Sequence, residues 1–407
     1  GALGATAALA ASGAAGWGLW QRPAAADDEP AYDLMPDKPL RYRGSATKAL
    51  RKAKKPHPCS MHNRFVQGCS EVKVFAGSAN PELAKEVAEG LGTQVGKSSV
   101  ARFADGEVSV KIDESVRGKD VYIVQPTSPP VNEHLMELLL MVSALRHASA
   151  KRVSIIVPYF GYMRSLSQSV ISRDHEDWNY ARSNLAAKDV AHMMEVAGAQ
   201  RVVAVDMYPV GQGMAEGFFD RAPIEQISSS DAIIDDLVDK LELSSRGFGD
   251  GDLVVVAPHA SCLAKAKQFR NELVNRVGYQ IDLATIIRTP PPPKSPPGTP
   301  RKVDLVGNVE GKSVLIVEDL IETGRTTVSA VDAVLNAGAK DVSAYASHCL
   351  LSSGAAELLQ ASGLRRLVTL NTVPIAPEKA AALPKLRQLS IAPEIASLIR
   401  QMHYEEK

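Results

Sequence analysis

Cysteine, aromatic side chains and net charge are all in short supply in this chain, and each shortage removes a class of protein. Four cysteines in 407 residues are too few and too scattered to frame a small disulfide scaffold. Cys59 and Cys69 stand close to His57 and His62, near enough to pair in an oxidising compartment or to share a metal. Their spacing matches no strong zinc motif, and two plain thiols are expected. Lys plus Arg equals Asp plus Glu at 46 each, so no global field draws the chain to nucleic acid and no specific nucleic-acid partner is expected. Aromatics make up 5%, apolar residues 45% and charged residues 23%, the balance of a folded, water-soluble protein rather than a disordered, collagenous or polytopic membrane one. The length suits two or three domains with sizeable cores.

Charge is missing locally as well. Residues 1–20 contain no charged side chain and consist almost wholly of Ala, Gly, Leu and Trp. A helix of that length spans about 30 Å, the thickness of a bilayer core. Trp17 and Trp20 precede Gln21 and Arg22, as aromatic and cationic anchors do at an interface. The expectation is a single transmembrane anchor. A signal-peptide core, a targeting remnant and a disordered tail are the competing readings, and the lack of an initiating Met suits a processed organellar protein. Residues 21–70 read as a linker, acidic first (Asp27, Asp28, Glu29) and basic later (Arg51, Lys52, Lys54, Lys55), with no apolar period to build a core.

From residue 71 the pattern alternates between strand and helix. Apolar, β-rich runs recur at 72–75, 121–124, 153–157, 202–205, 253–257, 283–287, 314–317 and 344–346. Helical patterns lie between several of them, at 81–91, 135–149, 188–197, 230–241, 264–276 and 326–337. Runs that lack in/out alternation predict mainly parallel sheets covered on both faces, an α/β class. Ligands in such sheets bind beyond the carboxyl ends of the strands.

The stretch from Val314 to Thr327 is the most telling of these ends. A buried strand delivers Glu318 and Asp319, and a turn containing Glu322, Thr323, Gly324, Thr326 and Thr327 then opens a helix. Backbone N–H groups and threonine hydroxyls at a helix N-terminus can hold a phosphate. The two acids can meet sugar hydroxyls directly or through Mg²⁺.

This turn resembles the phosphoribosyl-diphosphate loop of type I phosphoribosyltransferases. Further motifs are similar to the ribose-phosphate pyrophosphokinase (PRPP synthetase) branch: Phe75-Ala76-Gly77-Ser78, Phe103-Ala104-Asp105-Gly106-Glu107, Pro158-Tyr159-Phe160-Gly161-Tyr162 and Gly217-Phe218-Phe219-Asp220. The resemblance runs from about residue 71 onward. It implies two phosphoribosyltransferase-like domains, expected at 71–222 and 223–407, a hexamer built from dimers, and transfer of the β,γ-diphosphoryl group of Mg-ATP to ribose 5-phosphate. It also implies nucleotide contacts at Phe103, Asp105, Glu107 and Arg164.

Several positions depart from that family's pattern. Arg164 is kept, but the loop after it is altered and lengthened; Tyr208 stands where the family has a metal-positioning histidine, and a protonated phenol is a poor Mg²⁺ ligand. The Pro-Asp-x-Gly-Gly turn reads Pro258-His259-Ala260-Ser261-Cys262, and a Lys-x-Arg pair is reduced to Arg288 before a polyproline segment. Glu322 replaces an Asp, and Arg325 sits where this branch favours Gly. Phosphoryl transfer depends on cations and metal, so Arg164, Tyr208, His259 and Arg288 are expected to be vestigial. The expected function is thus a catalytically inactive accessory subunit of a mitochondrial inner-membrane assembly, partnered by its other subunits or by PRPP-synthetase-like chains, with no metal or cofactor. The alternatives are an active, divergent pyrophosphokinase using Mg²⁺ and ATP, and another phosphoribosyltransferase using the retained loop.

Overall fold

The computed structural model describes residues 72–163, 185–207, 215–240, 251–289 and 302–405. All belong to the compact unit Pro58–Lys407. The expected anchor at 1–20 and linker at 21–70, together with Arg164, Tyr208 and the polyproline segment, lie outside the described residues. Among the described residues no helix is long and apolar enough to cross a membrane.

A first parallel sheet is built from β1 (Val72–Ala76), β4 (Asp120–Val124), β5 (Arg152–Val157), β6 (Arg201–Val205) and β7 (Ile224–Ile227), paired in that order. Its helices are α1 (Pro81–Gly90), α2 (Val131–His147) and α3 (Ala186–Ala197). Between β1 and β4 an antiparallel hairpin, β2 (Ser98–Arg102) with β3 (Val108–Ile112), rests on α2. Because β7 pairs with β6, the first sheet continues past the boundary expected at residue 222.

After α4 (Ser230–Lys240), a second sheet follows from β8 (Leu253–Ala257), β9 (Asp282–Thr289), β10 (Lys302–Val306), β11 (Ser313–Ile321), β12 (Asp341–Cys349), β13 (Arg366–Leu370) and β14 (Leu386–Leu389). Their spatial order is β10-β9-β8-β11-β12-β13-β14, parallel except for the antiparallel β10–β9 edge. The helices are α5 (Leu263–Val277), α6 (Arg325–Asn336), α7 (Ala355–Ala361), α8 (Pro377–Ala382) and α9 (Ala392–Glu405). Every residue of β4 and of β8 is buried, which is why β8 and, after Asp120, β4 read as continuous apolar runs.

Three cores result. One joins the first sheet to α2 and α3 through Ile123, Leu138 and Met194, and another joins the second sheet to α6 and α7 through Ile316, Val331 and Leu359. The third belongs to both sheets: Val203 and Val205 share it with Val255, Phe269 and Tyr345, and with Leu83 of α1 and Ile395 of α9. Helix α1 shows how local sequence feeds this packing. Asn80 caps it by accepting from the Leu83 N–H, Pro81 occupies the first turn, and Leu83, Ala84, Val87 and Ala88 form a buried stripe. Against that stripe lies α9, whose Ala396 approaches Gly90 so closely that a Cβ there would stand 3.1 Å from the alanine methyl. His403, also on α9, brings Nδ1 to 3.3 Å from Asp120 Oδ2 at the start of β4.

Candidate sugar-phosphate site

Strand β11 runs through the acidic pair instead of stopping before it, and Glu318 and Asp319 are 3% and 9% exposed. Burying two adjacent carboxylates is costly unless each is met by donors or a cation. The Thr327 hydroxyl donates to Glu318 Oε2 at 2.6 Å. Burial outweighs that bond, and with the neighbouring Asp319 charge it pushes the Glu318 carboxyl up to about 7.

Asp319 is gripped on both oxygens. Lys265 Nζ stands 3.3 Å from Oδ1, and the Cys262 thiol donates to Oδ2 at 3.3 Å. Burial and the two nearby carboxylates raise the Cys262 thiol well above its ordinary range, so it is a hydrogen-bond donor here and not a thiolate. His259 Nε2 lies 3.3 Å from the same sulfur, and its Nδ1 is 2.7 Å from Ser261 Oγ. Burial, helped by the Arg288 charge and opposed by Asp319, lowers the His259 pKa and favours the neutral ring.

The turn after β11 depends on Gly324, whose φ is +70° and whose Cβ, were there one, would meet Leu359 Cγ at 3.0 Å. From it α6 opens, with Thr323 and Arg325 exposed, Thr326 half-buried and Thr327 buried. Thr327 was a candidate phosphate ligand, but its hydroxyl is turned inward to Glu318. Thr326 offers its hydroxyl while its carbonyl accepts from Arg288 Nη2 at 2.7 Å, so Arg288 reaches the loop from β9. Glu322 faces Ser352, whose Oγ donates to Oε1 at 3.4 Å.

The other nucleotide candidates are elsewhere. Phe103, Asp105 and Glu107 form the tip of the β2–β3 hairpin, with Phe103 59% exposed and Asp105 Oδ1 accepting from the Glu107 N–H. Sequence reasoning missed Lys265 and the cluster beyond it. A cavity of about 250 Å³ opens beside Asp319, lined by Asp206, Gln226, Ser228, Lys265 and Gln268. The spacing of Cys262 and Lys265 places both on one face where α5 begins, a signal readable in retrospect.

Among the described residues, the group of three metal-type side chains is His192, Glu195 and Asp220, with ligand atoms within 4.8 Å of one another. It includes neither Glu318 nor Asp319, so among the described residues those two carboxylates are not part of a three-ligand group. Two carboxylates next to a phosphate loop do fit a hard cation held mostly by substrate oxygens.

Comparison with known proteins agrees with this arrangement. The family model described as the N-terminal domain of ribose phosphate pyrophosphokinase matches residues 72–198, and that of the phosphoribosyl synthetase-associated domain matches 280–407. The ribose-phosphate pyrophosphokinase of Bacillus subtilis is 36% identical over 346 residues, 85% of this chain and 98% of the relative. That of Burkholderia pseudomallei is 38% identical over 319 residues, covering 78% and 90%. The crystal structure of phosphoribosylpyrophosphate synthetase from Mycobacterium smegmatis superposes with a TM-score of 0.68 at 34% identity, over 83% of this chain and 100% of that one. With two mainly parallel sheets, a phosphate-type turn behind an acidic pair, and relatives matched almost end to end, this chain belongs to the ribose-phosphate pyrophosphokinase family.

Proposed function

We propose that the chain is a divergent ribose-phosphate pyrophosphokinase, transferring the β,γ-diphosphoryl group of Mg-ATP to the C1 hydroxyl of ribose 5-phosphate to give phosphoribosyl diphosphate and AMP. The observation that carries this is the end of β11, where an acidic pair and a Thr/Gly turn are held in one arrangement at the start of α6. Identity spread over 85% of the chain, with relatives named for this activity, favours it over the inactive role expected from single positions. The 5-phosphate would sit on the N–H groups opening α6 and on the Thr323 and Thr326 hydroxyls, while Asp319 and Glu318 accept from sugar hydroxyls. Arg288, bonded to the same turn, and Arg325, exposed on the first turn of α6, supply positive charge for the moving diphosphoryl group. Mg²⁺ arriving with ATP would neutralise phosphoryl oxygens, with Asp319 and Glu318 the residues to hold it.

A second reading keeps sugar-phosphate binding without turnover, in an accessory subunit. It is favoured by the turn from His259 to Cys262, where a neutral imidazole and a thiol crowd Asp319. That reading extends to other subunits as partners and to attachment at a mitochondrial inner membrane through residues 1–20. Release of the intact chain by alkaline carbonate would refute the attachment.

One experiment separates the two readings. The purified chain is incubated with Mg-ATP and ribose 5-phosphate while AMP is followed, and sugar-phosphate binding is measured by calorimetry in parallel. AMP formation at about 1–100 per second supports the kinase. Binding without AMP supports the accessory role, and absence of binding rejects both.

A further inference from the structure

We infer that Lys265 is a positioning residue, one that fixes Asp319 for the sugar phosphate by anchoring it to the end of the first sheet through Asp206. The inference rests on the reading that Asp319 meets ribose 5-phosphate. An ammonium has three protons to donate, and here each has a receiver. Asp206 Oδ2 lies at 2.9 Å, Asp319 Oδ1 at 3.3 Å, and Ser347 Oγ takes the third. The cation also stands 5.6 Å from the centre of the Tyr345 ring. Only 17% of the lysine side chain is exposed, against 18% for Asp206 and 12% for Asp319, so solvent screens the pairs weakly.

These groups come from separate elements. Asp206 follows β6 in the first sheet, Lys265 is on α5, Asp319 is on β11, and Ser347 and Tyr345 are on β12. Asp206 is not an adjustable anchor. Its backbone holds a φ of +36°, its carboxylate accepts from Ser229 and, at 2.5 Å, from Ser347, and its carbonyl lies 3.2 Å from His348 Nε2. Burial opposes its ionisation, but the Lys265 charge and these hydroxyls hold its carboxyl at about 2. A rigid anion in one sheet thereby fixes, through one buried cation, the carboxylate that faces sugar in the other. Without the ammonium, two carboxylates would lose the charge they share, and Asp319 would keep only the Cys262 thiol on its other oxygen.

The test uses the full chain and three variants: Lys265→Met, which keeps length without charge; Lys265→Arg, which restores charge; and Asp206→Asn, which weakens the anchor and leaves the lysine in place. Thermal unfolding identifies the variants that fold, and Asp206→Asn serves where Lys265→Met does not. Ribose 5-phosphate affinity is read by calorimetry at one pH, with KM and kcat where turnover is present. Lys265→Met should weaken ribose 5-phosphate binding about ten- to a hundredfold, the range for a lost hydrogen bond to a charged group. The change should fall on KM more than on kcat. Lys265→Arg should recover most of the affinity, and Asp206→Asn should shift it in the same direction by less.

A folded Lys265→Met chain with unchanged affinity and KM would overturn the inference while leaving the proposed activity standing. If the unaltered chain binds no ribose 5-phosphate, the activity fails instead, and amide hydrogen exchange over residues 318–327 decides about Lys265. About tenfold faster exchange confined to that segment in Lys265→Met supports the positioning role, and unchanged exchange refutes it.

Discussion

Two neighbouring strands of the second sheet, β8 and β11, end in loops that open helices, and the two loops have been filled in opposite ways. After β11 the chain keeps a glycine at positive φ, exposes Thr323 and Arg325, and puts no side-chain cap on the start of α6. After β8 the turn at 258–262 carries His259, Ser261 and Cys262, which hydrogen-bond with one another and with Asp319. One loop is open to a ligand's phosphate. The other has turned its polar groups onto the neighbouring loop's carboxylate. The same architecture therefore gives a proposed receptor in one place and a support in the other, and what separates them is which side chains occupy the turn.

The largest effect should come from the carboxylate both loops share. Asp319→Asn should lower kcat/KM for ribose 5-phosphate on the order of a hundred- to a thousandfold, measured by AMP release, as for loss of one preorganised polar group. An activity within threefold of the parent would show that the β11 end is not the receptor.

Glu318 gives the next largest effect, through pH. Its carboxyl titrates at about 7 when folded, against the ordinary value of 4.5. The folded state therefore holds the proton more tightly than the unfolded one. The stability this contributes is complete below about 4.5 and is lost as pH rises through about 7. Glu318→Gln should remove that dependence and, above pH 8, be more stable than the parent by about 3 kcal/mol. Urea melts of both chains between pH 5 and 8.5 check this, and parallel curves would place Glu318 in a wetter setting.

Gly324→Ala sharpens the contrast between open and filled turns. A left-handed backbone at a non-glycine residue costs about 1–2 kcal/mol, and Leu359 must also give way. The expected result is a destabilisation of that size in chemical denaturation, together with weaker ribose 5-phosphate binding. At the β8 turn, Cys262→Ala should cost only about 1 kcal/mol, a hydrogen bond to Asp319. In the native chain at pH 8 the Cys262 thiol should resist Ellman's reagent, since burial and two carboxylates suppress its thiolate. Rapid labelling would show that this turn opens.

Most of the architecture was readable in the apolar runs. The run at 253–257 coincides with β8 because Leu253 to Ala257 are buried without interruption. The run at 314–317 fell short of β11, since two carboxylates look like the end of a strand; Thr327, Lys265 and Cys262 satisfy them and let the strand continue to Ile321. The β2–β3 hairpin escaped notice because its residues are half-exposed or exposed and give no apolar signal. Within the site, Glu318, Asp319 and the Thr/Gly turn were visible as a local motif. Lys265 was not, because a lysine on a helix looks solvated and its partner Asp206 is 59 residues away in sequence. Thr327's inward turn was equally hidden, because sequence does not say which of two hydroxyls a buried acid will recruit.

The pairing of α1 with α9 also constrains how this chain emerges from a ribosome. Leu83 and Val87 of α1 share a core with Ile395 and Ile399 of α9, which are synthesised some three hundred residues later. Until α9 has left the exit tunnel, α1 keeps part of its apolar stripe uncovered, a sticky face for chaperones or for a sibling on the same polysome. Maturation of this protein in that sense waits on a late segment, and a nascent chain stopped before residue 392 should be held by chaperones more strongly than one that has released α9.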